Sequence, residues 1–214
     1  MEIELLTITP DAERLIEAAG RTCYDTGERA TDDSAGRFIR MLISRGHLSV
    51  LEHAQASFRI KGVSRALTHQ LVRHRLASYS QRSQRYVSEA GFPYVTPPAI
   101  AADEEPKRVF DEAIENARAA YEKLMSLGVK REDARFVLPN ATATEIVMSA
   151  NFREWRHVVE LRGHRSAQWE IRRLAVAILK ILKEKAPATF GDFETDENDF
   201  VITRSDSTGG TERG

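Results

Sequence analysis

The chain has 214 residues, of which 42% are hydrophobic and 29% are charged, and its 31 basic and 32 acidic residues leave a net charge of -1. This composition can build a sizeable core, and the balanced charge disfavours a general nucleic-acid or anionic-membrane binder. The single cysteine, Cys23, cannot form an internal disulfide, and no leader-like or membrane-length apolar run is seen. We therefore expect a cytoplasmic protein without a metal site.

The periodicity of apolar residues predicts a mixture of strands and helices. Strict alternation predicts a strand at 54–61, ended by Gly62, and weaker patterns predict strands at 3–8 and 142–149. Helices are predicted at 10–20 (with Thr9 as N-cap), 34–45, 63–73, 106–128, 130–138, 152–161 (capped by Asn151, with Glu154 three residues later) and 167–185.

These elements indicate an α+β fold in which several long helices pack on a mostly antiparallel or mixed sheet. No linker divides the chain convincingly, so we predict one domain over residues 1–193. The acidic and then Ser/Thr/Gly-rich residues 194–214 are expected to form a flexible tail.

A cationic stretch at residues 73–86, here called the arginine segment, is the most distinctive feature of the sequence. No Asp or Glu occurs from Lys61 to Tyr86, and Arg73, His74 and Arg75 follow the predicted end of a helix. Cations are favoured at a helix C-terminus without any ligand. That explanation does not cover the later arginines in a Ser/Gln-rich stretch, which is either a solvated loop or a surface that binds a polar anion.

Covalent catalysis by Ser83 is disfavoured, because spacing places no base within hydrogen-bond reach of its hydroxyl. Hydrogen bonding to a phosphate is the preferred role of this serine. The histidines His53, His74 and His157 lack neighbouring carboxylate or Cys ligands, so hydrogen-bonded roles are favoured over metal binding.

The arginine segment resembles the RHR-x7-S signature of the flavin-dependent thymidylate synthases, with Arg73-His74-Arg75 followed by Ser83 and then Arg85-Tyr86. Further blocks match that family in the same order along the chain. They are residues 19–24, 46–53, 135–139, 161–162 and 167–172.

The resemblance implies an α+β enzyme that makes dTMP from dUMP with methylenetetrahydrofolate as carbon donor and NADPH as reductant of bound FAD. It also implies a homotetramer with active sites between subunits, and small-molecule partners only. The protein would supply orientation and electrostatics while the flavin does the redox work.

Carried over by matching position, the resemblance implies two groups of binding residues. The FAD-contacting positions are Ser49, Arg73, His74, Arg75, Gln81, Asn151, Arg153 and His157. The dUMP-contacting positions are Gln70, Arg73, Gln81, Arg82, Ser83, Gln84, Arg85, Arg135 and Arg162. In this scheme Arg162 is the catalytic residue, because a cation facing the uracil favours a deprotonated N3 and polarises the ring toward attack from C5.

Two other functions are compatible with the residues alone. A non-enzymatic RNA-binding module would use Lys61 to Tyr86 as a basic, aromatic-bearing surface, although the balanced net charge disfavours it. A related flavin enzyme would act on another pyrimidine nucleotide.

Overall fold

The computed structural model describes residues 1–196 and 200–203. Its elements are β1 (Glu2–Ile8), α1 (Ala12–Thr22), α2 (Ser34–Ser44), β2 (Gln55–Ser64), α3 (Arg65–Leu71), β3 (Ala77–Gln81), α4 (Pro98–Ala101), α5 (Glu104–Ser126), α6 (Arg131–Ala134), β4 (Ala143–Asn151), α7 (Phe152–Gly163), α8 (Trp169–Lys185), α9 (Pro187–Phe190), β5 (Phe193–Thr195) and β6 (Val201–Thr203). Four strands form an antiparallel sheet in the order β1-β2-β4-β3. The predicted α+β class is confirmed.

The chain groups into two compact units, each assembled from several stretches. The first unit comprises Met1–Glu2, Ile60–Val72 and Ser80–Val147. The second comprises Ile3–Arg59, Arg73–Tyr79 and the described residues from Met148 onward. The single domain predicted for residues 1–193 stays a prediction.

The first unit is built around the long helix α5. Its Ile114 and Tyr121 are buried, together with Phe92 from the preceding loop and Leu67 and Leu71 of α3. α3 begins where the Ser64 hydroxyl accepts a hydrogen bond from the Leu67 N–H at 3.0 Å, which satisfies an otherwise unpaired helix N-terminal donor. This cap fixes the start of α3, the helix that comes just before the arginine segment.

The second unit has an aromatic core in which α7 and α8 pack against each other. Trp155 of α7 meets Phe58 of β2 edge to face with 5.1 Å between ring centroids, and both side chains are fully buried. The indole N–H of Trp155 donates to the Ala56 carbonyl at 3.0 Å. α7 is therefore held rigidly against β2.

The predicted end of one strand and the predicted cap of one helix are wrong. The strand that was expected to stop at Gly62 continues to Ser64, because Gly62 adopts φ +67 and bends the strand without ending it. Thr9 does not cap α1, since its hydroxyl accepts from the Gln55 N–H at 2.9 Å instead, and Asp11 occupies the N-cap position with φ 47.

Two further strand regions were not predicted. β3 lies inside the arginine segment, where a solvated loop was one of the alternatives. β5 and β6 pair antiparallel and, apart from Phe193, lie in the stretch expected to be a tail. Residues 197–199 and 204–214 of that stretch lie outside the described residues.

Candidate functional site

A buried polar cluster in the second unit is centred on His74, of which only 3% is exposed. The Nε–H of Arg162 donates to His74 Nε2 at 3.0 Å, and the Glu154 carboxylate lies 3.4 Å from His74 Nδ1. The Tyr79 hydroxyl donates to the main-chain carbonyl of His74 at 2.9 Å. The ring of His157 lies edge-on at 5.4 Å between centroids. The arginine segment is thus tied to α7, which follows it by about 80 residues in sequence.

The contacts of His74 define its protonation state. A guanidinium has only donors, so His74 Nε2 must be the acceptor and the ring is neutral. Burial, followed by the neighbouring Arg162 and His157, lowers the pKa of His74 to about 4. Burial also raises the pKa of Tyr79 and lowers the pKa of Arg162. Near neutral pH the cluster holds a neutral histidine against a cation.

Beside this cluster the second unit has a cleft of about 1170 Å³. Asn151, Arg153 and His157 line it together with apolar side chains such as Ile43 and Leu48. Small-molecule sites typically measure roughly 300–1,000 Å³, so the cleft can accommodate a ligand as large as a dinucleotide.

The predicted FAD-contacting residues are distributed unevenly between the two units. All except Gln81 lie in the second unit, and three of them line the cleft. Ser49, Arg73 and Arg75 are exposed. His74 has both ring nitrogens facing protein groups, so a flavin contact there would use its main chain or ring face.

Most predicted dUMP-contacting residues belong to the first unit. Three of them, Ser83, Arg85 and Arg135, are held in place by contacts with nearby groups. Ser83 Oγ accepts from the Arg85 N–H at 3.2 Å, and the Arg85 Nε pairs with Glu132 at 2.8 Å. Arg135 Nε donates to the Glu132 carbonyl at 3.1 Å. A hydroxyl and two guanidinium groups are therefore presented from one region, a donor set that suits a phosphate.

Gln81 and Arg82 precede that group and are anchored to α3. Gln81 Nε2 donates to the Thr68 hydroxyl at 3.0 Å, and Arg65 Nη2 donates to the Arg82 carbonyl at 3.0 Å. Gln70 and Gln84 are half-buried in the same unit, whereas Arg73 and Arg162 belong to the second unit. α3 thus sets the position of the chain entering the predicted phosphate-binding turn.

A buried acid in the first unit had no sequence signal. Glu89 is 2% exposed, its carboxylate lies 3.9 Å from the Arg82 Nε, and burial raises its pKa. Within the described residues, Glu89 Oε2 and Arg65 Nε have no hydrogen-bond partner. These two groups were missed because nothing in their local sequence distinguishes them from surface charges.

Glu154 was noted in the sequence only as part of a helix cap. Asn151 does cap α7, its Oδ1 accepting from the Glu154 N–H at 2.8 Å, so the predicted cap is confirmed. The Glu154 carboxylate, however, faces His74. The contact between Glu154 and His74 joins residues about 80 apart in sequence, so local spacing cannot indicate it.

Neither a metal cluster nor a membrane-spanning helix emerges from the described part of the chain. No three His, Cys, Asp or Glu side chains there are grouped as ion ligands. Likewise, none of the described helices combines the length and hydrophobicity needed to cross a bilayer.

Comparison with known proteins shows that most of the chain is similar in sequence to one protein family. Residues 4–188 match the family model described as thymidylate synthase complementing protein. The chain is 47% identical over 200 residues to a flavin-dependent thymidylate synthase of Geobacter sulfurreducens, covering 90% of this chain and 86% of that protein. A flavin-dependent thymidylate synthase of Mycobacterium tuberculosis is 43% identical over 220 residues, covering 94% and 86%.

A solved structure is similar in fold as well. The crystal structure of Thymidylate Synthase X from Helicobacter pylori with FAD and dUMP has a TM-score of 0.77 and 27% identity, covering 90% of this chain and 98% of that chain. All the predicted site residues lie inside the region that these matches span.

Proposed function

The chain belongs to the flavin-dependent thymidylate synthases, and from this premise we propose that it converts dUMP to dTMP with methylenetetrahydrofolate as carbon donor and NADPH as reductant of bound FAD. The observation that carries the proposal is the family match over residues 4–188, which includes every residue assigned to the site. The relative from Helicobacter pylori that was crystallised with FAD and dUMP supports both ligands.

The cleft of the second unit fits the chemistry of FAD. Ile43 and Leu48 offer apolar surface for a ring system, while Arg153 and Asn151 offer donors to a diphosphate or to ring carbonyls. Arg153 is paired with Glu52 at 2.5 Å at the cleft and is half exposed, so an anionic ligand can compete for it. We assign FAD to this cleft with Asn151, Arg153 and His157 as contacts. When bound, the flavin supplies the two electrons that convert a transferred methylene to a methyl group.

The first unit supplies the donors for the dUMP phosphate. Ser83 and Arg85 are already adjacent, and Arg135 lies next to the same Glu132. Charge-assisted hydrogen bonds from such groups are strong and directional, so they fix the position of a phosphate. Gln81 and Arg82, anchored by α3, would orient the rest of the nucleotide.

Arg162 is assigned as the catalytic cation that faces the uracil. It always carries a proton, so it can stabilise negative charge on the pyrimidine without taking part in proton transfer. His74 Nε2 accepts a hydrogen bond from the Arg162 Nε–H at 3.0 Å, and this bond restricts the plane of the guanidinium. A preorganised cation of this kind lowers the cost of charge development at the reacting ring.

A homotetramer with active sites between subunits is part of the same proposal. Several large apolar side chains within or near the predicted site are exposed, notably Leu76 at 73%, Tyr86 at 70% and Phe136 at 83%. Exposed apolar residues at a functional surface support coverage by another chain. Light scattering coupled to size-exclusion chromatography would give a mass of four chains, and a monomeric mass would contradict this part of the proposal. The cytoplasmic location also stays a prediction.

The test begins with the purified chain and its flavin spectrum. We expect a yellow protein whose flavin absorbance changes on titration with dUMP, and dTMP formation when NADPH and methylenetetrahydrofolate are supplied. A protein that cannot be loaded with FAD and forms no dTMP would contradict the proposal. Methylation of another pyrimidine nucleotide in preference to dUMP would instead favour the related-enzyme alternative.

Arg162→Ala sharpens the test by separating chemistry from cofactor binding. Loss of one preorganised donor to a developing charge typically costs about 10²–10³ in kcat, so we expect a loss of this order with FAD affinity nearly unchanged. Arg37→Ala removes an exposed arginine of α2 and serves as the matched control. Equal losses of turnover and flavin binding would assign Arg162 an architectural role.

A further inference from the structure

The carboxylate of Glu154 is buried in the first turn of α7 although the helix cap does not require it. The cap uses the Asn151 side chain and the Glu154 main-chain N–H. The Glu154 side chain is only 7% exposed and lies 3.4 Å from His74 Nδ1. Burying a carboxylate is costly unless polar groups compensate it, so the position needs an explanation other than helix initiation.

The two nitrogens of His74 have opposite roles. His74 Nε2 accepts from Arg162 at 3.0 Å, which requires a lone pair on that nitrogen. A neutral imidazole then carries its proton on Nδ1, the nitrogen that faces Glu154. A carboxylate 3.4 Å from Nδ1 favours a proton on that nitrogen, and so it keeps the Nε2 lone pair available to Arg162.

We propose that Glu154 is a positioning residue that acts through His74 on Arg162, by holding the His74 tautomer that accepts from the guanidinium. The proposal rests on the proposed function for its catalytic consequence, but its structural part concerns only groups of the second unit. With the other tautomer, His74 would present an N–H to the Arg162 N–H, and two donors would face each other. The guanidinium would then lose its 3.0 Å hydrogen bond to His74, which restricts its plane.

The charged and titratable groups that face His74 each have a place in this arrangement. Arg162 and Glu154 contact opposite nitrogens, and His157 stacks edge-on against the ring. Tyr79 binds the His74 main-chain carbonyl, so it holds the backbone and leaves the choice of tautomer to Glu154. Glu154 is thus the negatively charged group in this cluster that faces Nδ1.

The direct test is nuclear magnetic resonance of the full-length protein with ¹⁵N-labelled histidine and arginine. The chain has 6 histidines, so His74→Gln and Arg162→Ala assign the two signals by their disappearance. In the wild type we expect an unprotonated Nε2 at His74 and a slowly exchanging Arg162 Nε–H. In Glu154→Gln, whose amide can also donate to Nδ1, we expect a mixed or reversed tautomer and faster exchange of that N–H. A wild-type ring protonated at Nε2, or an Arg162 N–H unaffected by the substitution, would overturn the proposal.

Kinetics supply the second readout. Glu154→Gln should lower kcat by at least roughly tenfold with FAD affinity and unfolding midpoint close to wild type, because an isosteric amide preserves the shape but not the tautomer. The same substitution should have no further effect in an Arg162→Ala background, since coupled residues are not additive. Additive losses would show that Glu154 does not act through Arg162.

A control variant and two distinct outcomes separate failure of this proposal from failure of the proposed function. Glu184→Gln removes an exposed acid of α8 and should alter neither the His74 signal nor kcat. If the protein makes no dTMP yet shows the expected tautomer and its loss in Glu154→Gln, the proposed function fails and the positioning of Arg162 stands. If dTMP forms but the tautomer does not depend on Glu154, the positioning proposal fails alone.

Discussion

Acid should destabilise the protein through His74, by an amount that follows from its pKa. The ordinary histidine pKa is 6.5, and in the folded protein burial, with Arg162 and His157, lowers that of His74 to about 4. The neutral ring is therefore favoured by about 3 kcal/mol in the folded state. Between pH 6.5 and 4 the unfolded chain binds the proton more readily, so the free energy of unfolding falls as the pH falls. His74 should contribute a loss of about 2 kcal/mol between pH 7 and 5, and about 3 kcal/mol by pH 4.

The measurement is urea unfolding of wild type and His74→Gln at one protein concentration across this pH range. The glutamine oxygen can accept from Arg162 in place of Nε2, but it does not titrate. The difference in free energy between wild type and variant isolates His74 from carboxylates common to both. His69→Gln, at an exposed histidine of α3, is the control because it removes a histidine and leaves the contacts of His74 intact. A difference that is flat between pH 7 and 5, or that favours wild type as the pH falls, would refute the reasoning.

Two further substitutions test the packing that supports the site. Trp155→Phe leaves the buried Ala56 carbonyl without its 3.0 Å indole donor, so the free energy of unfolding should fall by about 1–3 kcal/mol in urea titrations, and no loss would imply that water replaces the donor. Gly62→Ala forces a Cβ into a residue at φ +67, which should cost about 1–2 kcal/mol; unchanged stability would mean that β2 relaxes around it.

The helices were largely predictable because their signals are local. α5 and α8 were recognised from apolar residues spaced three or four apart, and α7 was recognised from its Asn151 cap with Glu154 three residues later. β3 carried the alternation of a strand, with Ala77, Tyr79 and Gln81 half-buried, but its other positions are polar and so did not stand out. Strand formation there depends on pairing within the sheet, which is a non-local interaction.

The sequence named residues for the candidate site but could not indicate the contacts between them. The RHR-x7-S spacing identified His74 and the resemblance identified Arg162, yet their 3.0 Å contact joins positions 88 apart in sequence. Glu154 was read as a helix cap because capping boxes use the same spacing. Only the tertiary fold shows that its carboxylate turns to His74 instead.

The arginine segment also pairs with acidic residues that lie outside it in the sequence, and the strength of these pairs affects how tightly an anionic ligand can bind. Arg85 pairs with Glu132, with 56% and 38% of the two side chains exposed. Such an exposed pair is worth only about 0–1 kcal/mol, and a phosphate bound there would add a charge-assisted hydrogen bond from the Ser83 hydroxyl. If the proposed phosphate site is correct, the phosphate would therefore displace Glu132 with a net gain. In that proposal Glu132 would keep Arg85 oriented before the nucleotide binds and would compete only weakly with the bound phosphate.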